Sequence, residues 1–174
     1  MKVSSVRFIT TTAMLLALTV LFQMLRLVIP ASPFQQILIG SLVNLCLIVS
    51  AGTAGLWSGV IISVVSPIIA LAQGHIPFPW MLPFVIIGNV LLVICYALLM
   101  KKSQILGFAV GAVLKTAFLW IGVVLIGISL FNVPETPAKA LSGAFSWLQL
   151  VTAVIGGVVS LPIVRALRPK KVNN

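Results

Sequence analysis

Six apolar runs, separated by short polar or proline-rich turns, leave this chain few ways to fold. A helix rises about 1.5 Å per residue, so a run of about 20 residues spans the roughly 30 Å hydrocarbon core of a bilayer. Within lipid every backbone N–H and C=O must be paired inside the protein, and helices do this segment by segment. The runs at about 8–28, 37–52, 56–72, 81–100, 104–130 and 138–164 are read as transmembrane helices of one all-α, six-helix membrane domain spanning 1–174. The first run is not a signal peptide by this reading, because it lacks a convincing small-residue cleavage site and five more runs follow.

Composition agrees. The chain is 61% hydrophobic and 7% charged, against roughly 25% charged in soluble domains. Its net charge of +10 would suggest nucleic acid until the cations are placed. Eight of the eleven Lys and Arg fall near helix ends on one side: Lys2, Arg7, Lys101, Lys102, Arg165, Arg168, Lys170 and Lys171. Arg26 and Lys139 fall on the other. This is the positive-inside pattern, which puts both termini and the Lys101–Lys102 turn in the cytoplasm and leaves no nucleic-acid face. Cys46 and Cys95 lie in apolar runs without a metal-ligand cluster and read as packing residues.

Lys115 stands apart. Thirteen helical residues beyond the Lys101–Lys102 pair, it lies about 20 Å along its helix, past the middle of the bilayer. A central lysine costs roughly 2.5–3.5 kcal/mol to insert, and from this depth neither interface is in comfortable reach of a snorkelling side chain. It reads as functional.

Other polar residues share its depth. Asn44, Asn89 and Gln149 each lie eight residues, about 12 Å, below the expected outer ends of their helices at Gln36, Met81 and Leu141. Ser66, before Pro67 at an expected kink, lies at about 10 Å. Gln23 and Arg26 share a face above them, where Arg26 serves either as an interface anchor or as a ligand contact. Such a layer points to a cavity open to the outside. Trp80, Trp120, Trp147, Phe34 and Phe78 offer it a stacking surface or lid. The stretches Pro30–Gln36 and Gln73–Trp80 read as external loops, the second holding His75, the single histidine. Thr136-Pro137 reads as a helix N-cap followed by proline at the first helical position. The one carboxylate, Glu135, is assigned to the third external loop, so nothing within the membrane neutralises Lys115 or Arg26. A small ligand with a carboxylate or phosphate and a flat or hydroxylated body would supply the countercharge.

The absences narrow the function. No intramembrane Asp or Glu is present to couple protons or sodium, and there is no Walker motif, paired carboxylate set, Ser/His/Asp set or metal cluster. The chain therefore reads as a non-enzymatic solute binder with no cofactor of its own, in need of an energised partner. Ala13 and Ala17, a small-xxx-small pair in the cytoplasmic half of the first span, offer that partner a surface.

These features together resemble the substrate-binding (S) component of an energy-coupling factor (ECF) transporter, the prokaryotic vitamin-uptake class of ABC importers. The likeness rests on chain length, six spans, cytoplasmic termini, proline-rich first and third loops, and the motif Ala13-Met-Leu-Leu-Ala17. It implies a multi-pass protein of the prokaryotic plasma membrane that partners a transmembrane coupling subunit and two cytoplasmic ATPases, which hydrolyse the ATP. It also implies an outer ligand pocket, in regions that here hold Gln35, Gln36, His75, Asn89, Lys115 and Gln149. The unpaired lysine favours an anion such as pantothenate, niacin, folate or biotin. Three rivals stay open at this point: a stand-alone secondary carrier of a small organic anion, a non-transporting membrane scaffold or assembly protein, and a membrane enzyme, for which acid and base residues are nearly absent.

Overall fold

The structure, a computed structural model, describes residues 5–167. Lys2, Arg168, Lys170 and Lys171, four of the cations that oriented the termini, lie outside the described residues. The first helix, α1 (Ser5–Met24), closes in a tight turn at Leu25–Leu27; α2 is Pro33–Thr53 and α3 Leu56–Ala72. A turn at Pro79–Met81 leads into α4 (Leu82–Leu99). Helix α5 starts at Gln104, runs regularly to Leu119, passes through a π-helical segment at Trp120–Gly127, and ends at Leu130. A short α6 (Glu135–Ala144) precedes α7 (Trp147–Leu167). Among the described residues five segments are long and apolar enough to cross a membrane, and α3 is a shorter apolar helix of 17 residues.

Three expectations change. The stretch Pro30–Gln36 is not loop throughout: Ser32 caps α2 by accepting from the Gln35 N–H at 3.1 Å, with Pro33 at the first helical position. Thr136 is not an N-cap either. The helix starts at Glu135 behind Pro134, and Pro137 is tolerated inside it because the first turn's N–H groups have no helical acceptor. Finally, the span expected at 138–164 is two helices, broken at Phe145–Ser146. The carbonyls left at the end of α6 are satisfied locally: that of Leu141 by the Phe145 N–H, that of Gly143 by Ser146 Oγ, and that of Ala144 by Gln149 Nε2. Glu135 and Lys139, both expected in a loop, form an exposed 2.6 Å ion pair one turn apart on α6.

The bundle is built around α2, which packs against α1, α3, α4 and α7. Leu47, Ile48 and Ala51 of α2 meet Ile62, Leu92, Val93, Tyr96 and Phe108 in one buried cluster. A second cluster, toward the opposite end of α5, joins Met81, Leu119, Val123 and Leu141. There Gly122 and Gly127, five residues apart and so aligned by the π-helical register, lie directly under the rings of Phe84 and Trp80. Trp80 stacks on Phe131 at 4.8 Å and fastens the loop before α4 to the end of α5. At the other end, Arg7 Nη2 donates to the Leu167 carbonyl at 2.8 Å, so the start of α1 and the end of α7 lie on the same side.

Helices α2 and α7 approach backbone to backbone at Gly156. A methyl group on Gly156 would come within 2.6 Å of the Ser41 carbonyl oxygen and 2.9 Å of Asn44 Cβ. Small residues are what let membrane helices approach backbone to backbone. Gly156→Ala should therefore push the two helices apart and destabilise the protein by about 1–3 kcal/mol. Gly143→Ala, where an added methyl meets nothing within 4 Å, should be neutral or mildly stabilising. Thermal unfolding in detergent compares the two, and equal midpoints would refute the packing argument.

Candidate functional site

At the end of the bundle away from Arg7 and Leu167 lies a cavity of about 470 Å³, within the range of small-molecule sites. Its rim includes the exposed residues Ala31, Ser32 and Pro33, and its walls come from α1 to α7 and the loop holding His75. Ten of the polar residues singled out from sequence line it: Lys115, Asn89, Gln149, Arg26, Asn44, Gln36 and His75, with Gln23, Gln35 and Ser66.

The deep end is a hydrogen-bonded chain. Lys115, 4% exposed, donates from Nζ to Asn44 Oδ1 at 2.6 Å. Asn44 Nδ2 donates to Thr152 Oγ1 at 3.2 Å, and the Thr152 hydroxyl donates to the Gln149 carbonyl at 3.0 Å. Helix α2 brings Asn44 here because Gly156 admits it so closely to α7. The chain orients the ammonium without neutralising it. Among the described residues the one carboxylate is Glu135, already paired with Lys139 at the surface. Thr152 was not singled out from sequence, although its position three residues after Gln149 on one helix face would have found it.

The outer end is built from α1, α3 and the loop after α3. Gln23 Nε2 donates to the Ser66 carbonyl at 3.2 Å, next to Pro67, and Arg26 Nη1 donates to the His75 carbonyl at 3.4 Å. Gln35 ties the connection before α2 by donating to the Ile29 carbonyl at 2.6 Å. Four buried polar atoms at this end have no hydrogen-bond partner: Gln23 Oε1, Arg26 Nε, Ser66 Oγ and His75 Nδ1. Burial first, then the neighbouring Arg26 charge, hold the His75 imidazole below its ordinary pKa and so neutral at physiological pH. The structure thus puts both Arg26 and His75 at the cavity, where sequence left Arg26 between an interface anchor and a ligand contact.

Between the two ends the wall is aliphatic, with Ile39, Val43, Val85, Leu119 and Leu148. Trp120 and Trp147 are not among the cavity's residues. They flank a separate apolar groove with Val113, Thr116 and Leu150, because the α6–α7 break leaves Trp147 on the outer surface, 63% exposed. Trp80, Phe34 and Phe78 are likewise absent from the cavity lining, and its one aromatic hydrocarbon ring is that of Phe145. The same break moves Gln149 into the first turn of α7, so it is not eight residues down an unbroken helix.

A family model described as "ECF transporter, substrate-specific component" matches residues 7–168. No curated protein and no solved structure matches the chain.

Proposed function

Because the chain belongs to the family of ECF transporter substrate-specific components, multi-pass proteins of the prokaryotic plasma membrane, we propose that it captures a small anionic micronutrient from outside and hands it to a coupling subunit driven by two ATPases. Members of this family bind transport substrates and are not enzymes, and family membership implies association with coupling and ATPase subunits. The observation that carries the anionic assignment is Lys115, buried in the cavity with a neutral amide as its acceptor. Taking a charge out of water costs several kcal/mol unless an opposite charge meets it. A carboxylate or phosphate seated at Nζ supplies that charge only when the site is filled.

The aliphatic wall narrows the choice further. With no tryptophan, tyrosine or stacked aromatic pair lining the cavity, the body of the ligand is saturated rather than flat. Among the anionic vitamins this favours pantothenate or biotin over folate or niacin. Native mass spectrometry of the protein purified in mild detergent tests the assignment. The expected result is a retained small acid, released when Lys115 is replaced. A retained cation, or saturable binding of neutral compounds alone, would overturn it.

A further inference from the structure

The cavity has two chemically different ends, and their difference specifies more than charge. Gln35 donates to the Arg26 carbonyl at 3.4 Å, which sets Arg26 level with the first turn of α2. Asn44 lies nine residues farther along that helix, so Lys115 is about 13 Å deeper than the Arg26 backbone. A ligand that touches both ends is elongated.

At the deep end the only charged group is an ammonium, whose needs are met by an anion. The outer end is mixed. Arg26 Nε is a donor without an acceptor, Gln23 Oε1 an acceptor without a donor, and the Ser66 hydroxyl and, by its tautomer, His75 Nδ1 can play either part. Gln23 and Ser66 are 6% and 0% exposed, so water does not repair these omissions in the empty protein, and a ligand group meets them as the Gln23 side chain turns toward the cavity. A second carboxylate would satisfy Arg26 but leave Gln23 Oε1 facing another acceptor. A neutral group carrying both N–H and C=O satisfies all of them. Arg26, half-buried at the mouth, keeps part of its hydration and does not need a second anion.

We infer that the ligand is a two-ended monoacid: a carboxylate on Lys115, a saturated middle along Ile39, Val43 and Leu148, and a neutral amide- or ureide-like head among Gln23, Arg26 and Ser66. This rests on the anion-capture reading above and adds the polarity of the ligand, its length and the chemistry of its far end.

The test uses four probes that permute the two ends of one saturated chain: suberamate (acid and amide), octanoate (acid alone), octanamide (amide alone) and suberate (two acids). Calorimetry on the full-length protein in detergent should rank suberamate first, with each of the others weaker by about tenfold or more. Lys115→Met should erase the advantage of suberamate over octanamide. Ser66→Ala should erase its advantage over octanoate while leaving octanoate affinity unchanged. Because the Ser66 hydroxyl has no partner in the empty protein, that variant should fold normally, and Gln23→Leu provides a second reading of the same end. If suberate matched or exceeded suberamate, or octanoate equalled it, the two-ended assignment would fall while a Lys115-dependent preference for acids still upheld anion capture. Affinities unmoved by Lys115→Met would sink both.

Discussion

Lys115→Met is expected to weaken binding of the co-purifying ligand by about 100-fold without lowering the stability of the ligand-free protein. The first half follows from the setting. Truncating one partner of a buried, hydrogen-bonded charge pair typically costs about 2–5 kcal/mol of affinity, because the other charge is left buried and unanswered. In the proposed complex that other charge would be the ligand's anion, at the deep end beside Asn44, Thr152 and Gln149. The second half separates a binding lysine from a structural one. In the empty protein the variant loses one hydrogen bond, to Asn44 Oδ1, and leaves that oxygen without its donor, a cost of about 1–3 kcal/mol. It also removes an ammonium that is expensive by roughly 2.5–3.5 kcal/mol at the membrane centre. The two offset each other, so the melting temperature should hold or rise. Calorimetric titration and thermal unfolding on the same preparation read both halves. A variant that bound normally, or that unfolded many degrees early, would show Lys115 to be a packing element.

Hydropathy made the spans legible because lipid imposes one rule on every segment: pair the backbone internally and stay apolar for the thickness of the core. Lys115 was legible for the same reason, since a cation stands out where nothing else is charged. What local pattern could not decide was where a helix starts or breaks. The signature of a hydroxyl residue followed by proline occurs three times, once inside α3 at Ser66-Pro67 and twice near a helix start. At Ser32-Pro33 it does cap a helix, whereas at Thr136-Pro137 the helix has already begun. Any of the first helical positions accepts proline, so the signature alone cannot choose between them. The break at Phe145–Ser146 has no proline or glycine at its centre. It is held by the Gln149 side chain reaching back to Ala144, a contact visible only in three dimensions. That break is also why Trp147 faces outward.

Depth counting nevertheless found most of the cavity's polar lining, because residues at one level of parallel or antiparallel helices must be neighbours if they face inward. It could not tell inward from outward. Asn89 and Trp120 lie on facing helices α4 and α5, yet the first is 4% exposed beside the cavity and the second 44% exposed on the surface. The π-helical segment beginning at Trp120 shifts the helical register there, and apart from two glycines five residues apart the sequence carries no mark of it.

Replacing Ala13 and Ala17 together with leucine should abolish uptake in cells that contain the coupling subunit and ATPases, by at least about tenfold, while ligand affinity of the isolated protein stays at the wild-type value. Helix α1 divides its surface cleanly. Thr12, Thr19 and Gln23 are buried, with Thr12 Oγ1 donating to Ser58 Oγ at 2.8 Å across to α3. Ala13 and Ala17 are exposed, in a stripe with Ile9, Met14 and Leu21, so enlarging them leaves the bundle intact. In lipid an apolar face gains little from simple burial against another apolar face. Association depends on close approach, which small residues permit and leucine prevents. The loss should therefore appear in co-purification with the coupling subunit and in uptake of labelled ligand, and not in titration of ligand into the purified chain. Ala13→Gly with Ala17→Gly preserves the smallness and should retain transport. If the leucine variant transported as well as wild type, the coupling subunit would have to dock on another face, and the exposed stripe of α1 would simply be lipid-facing.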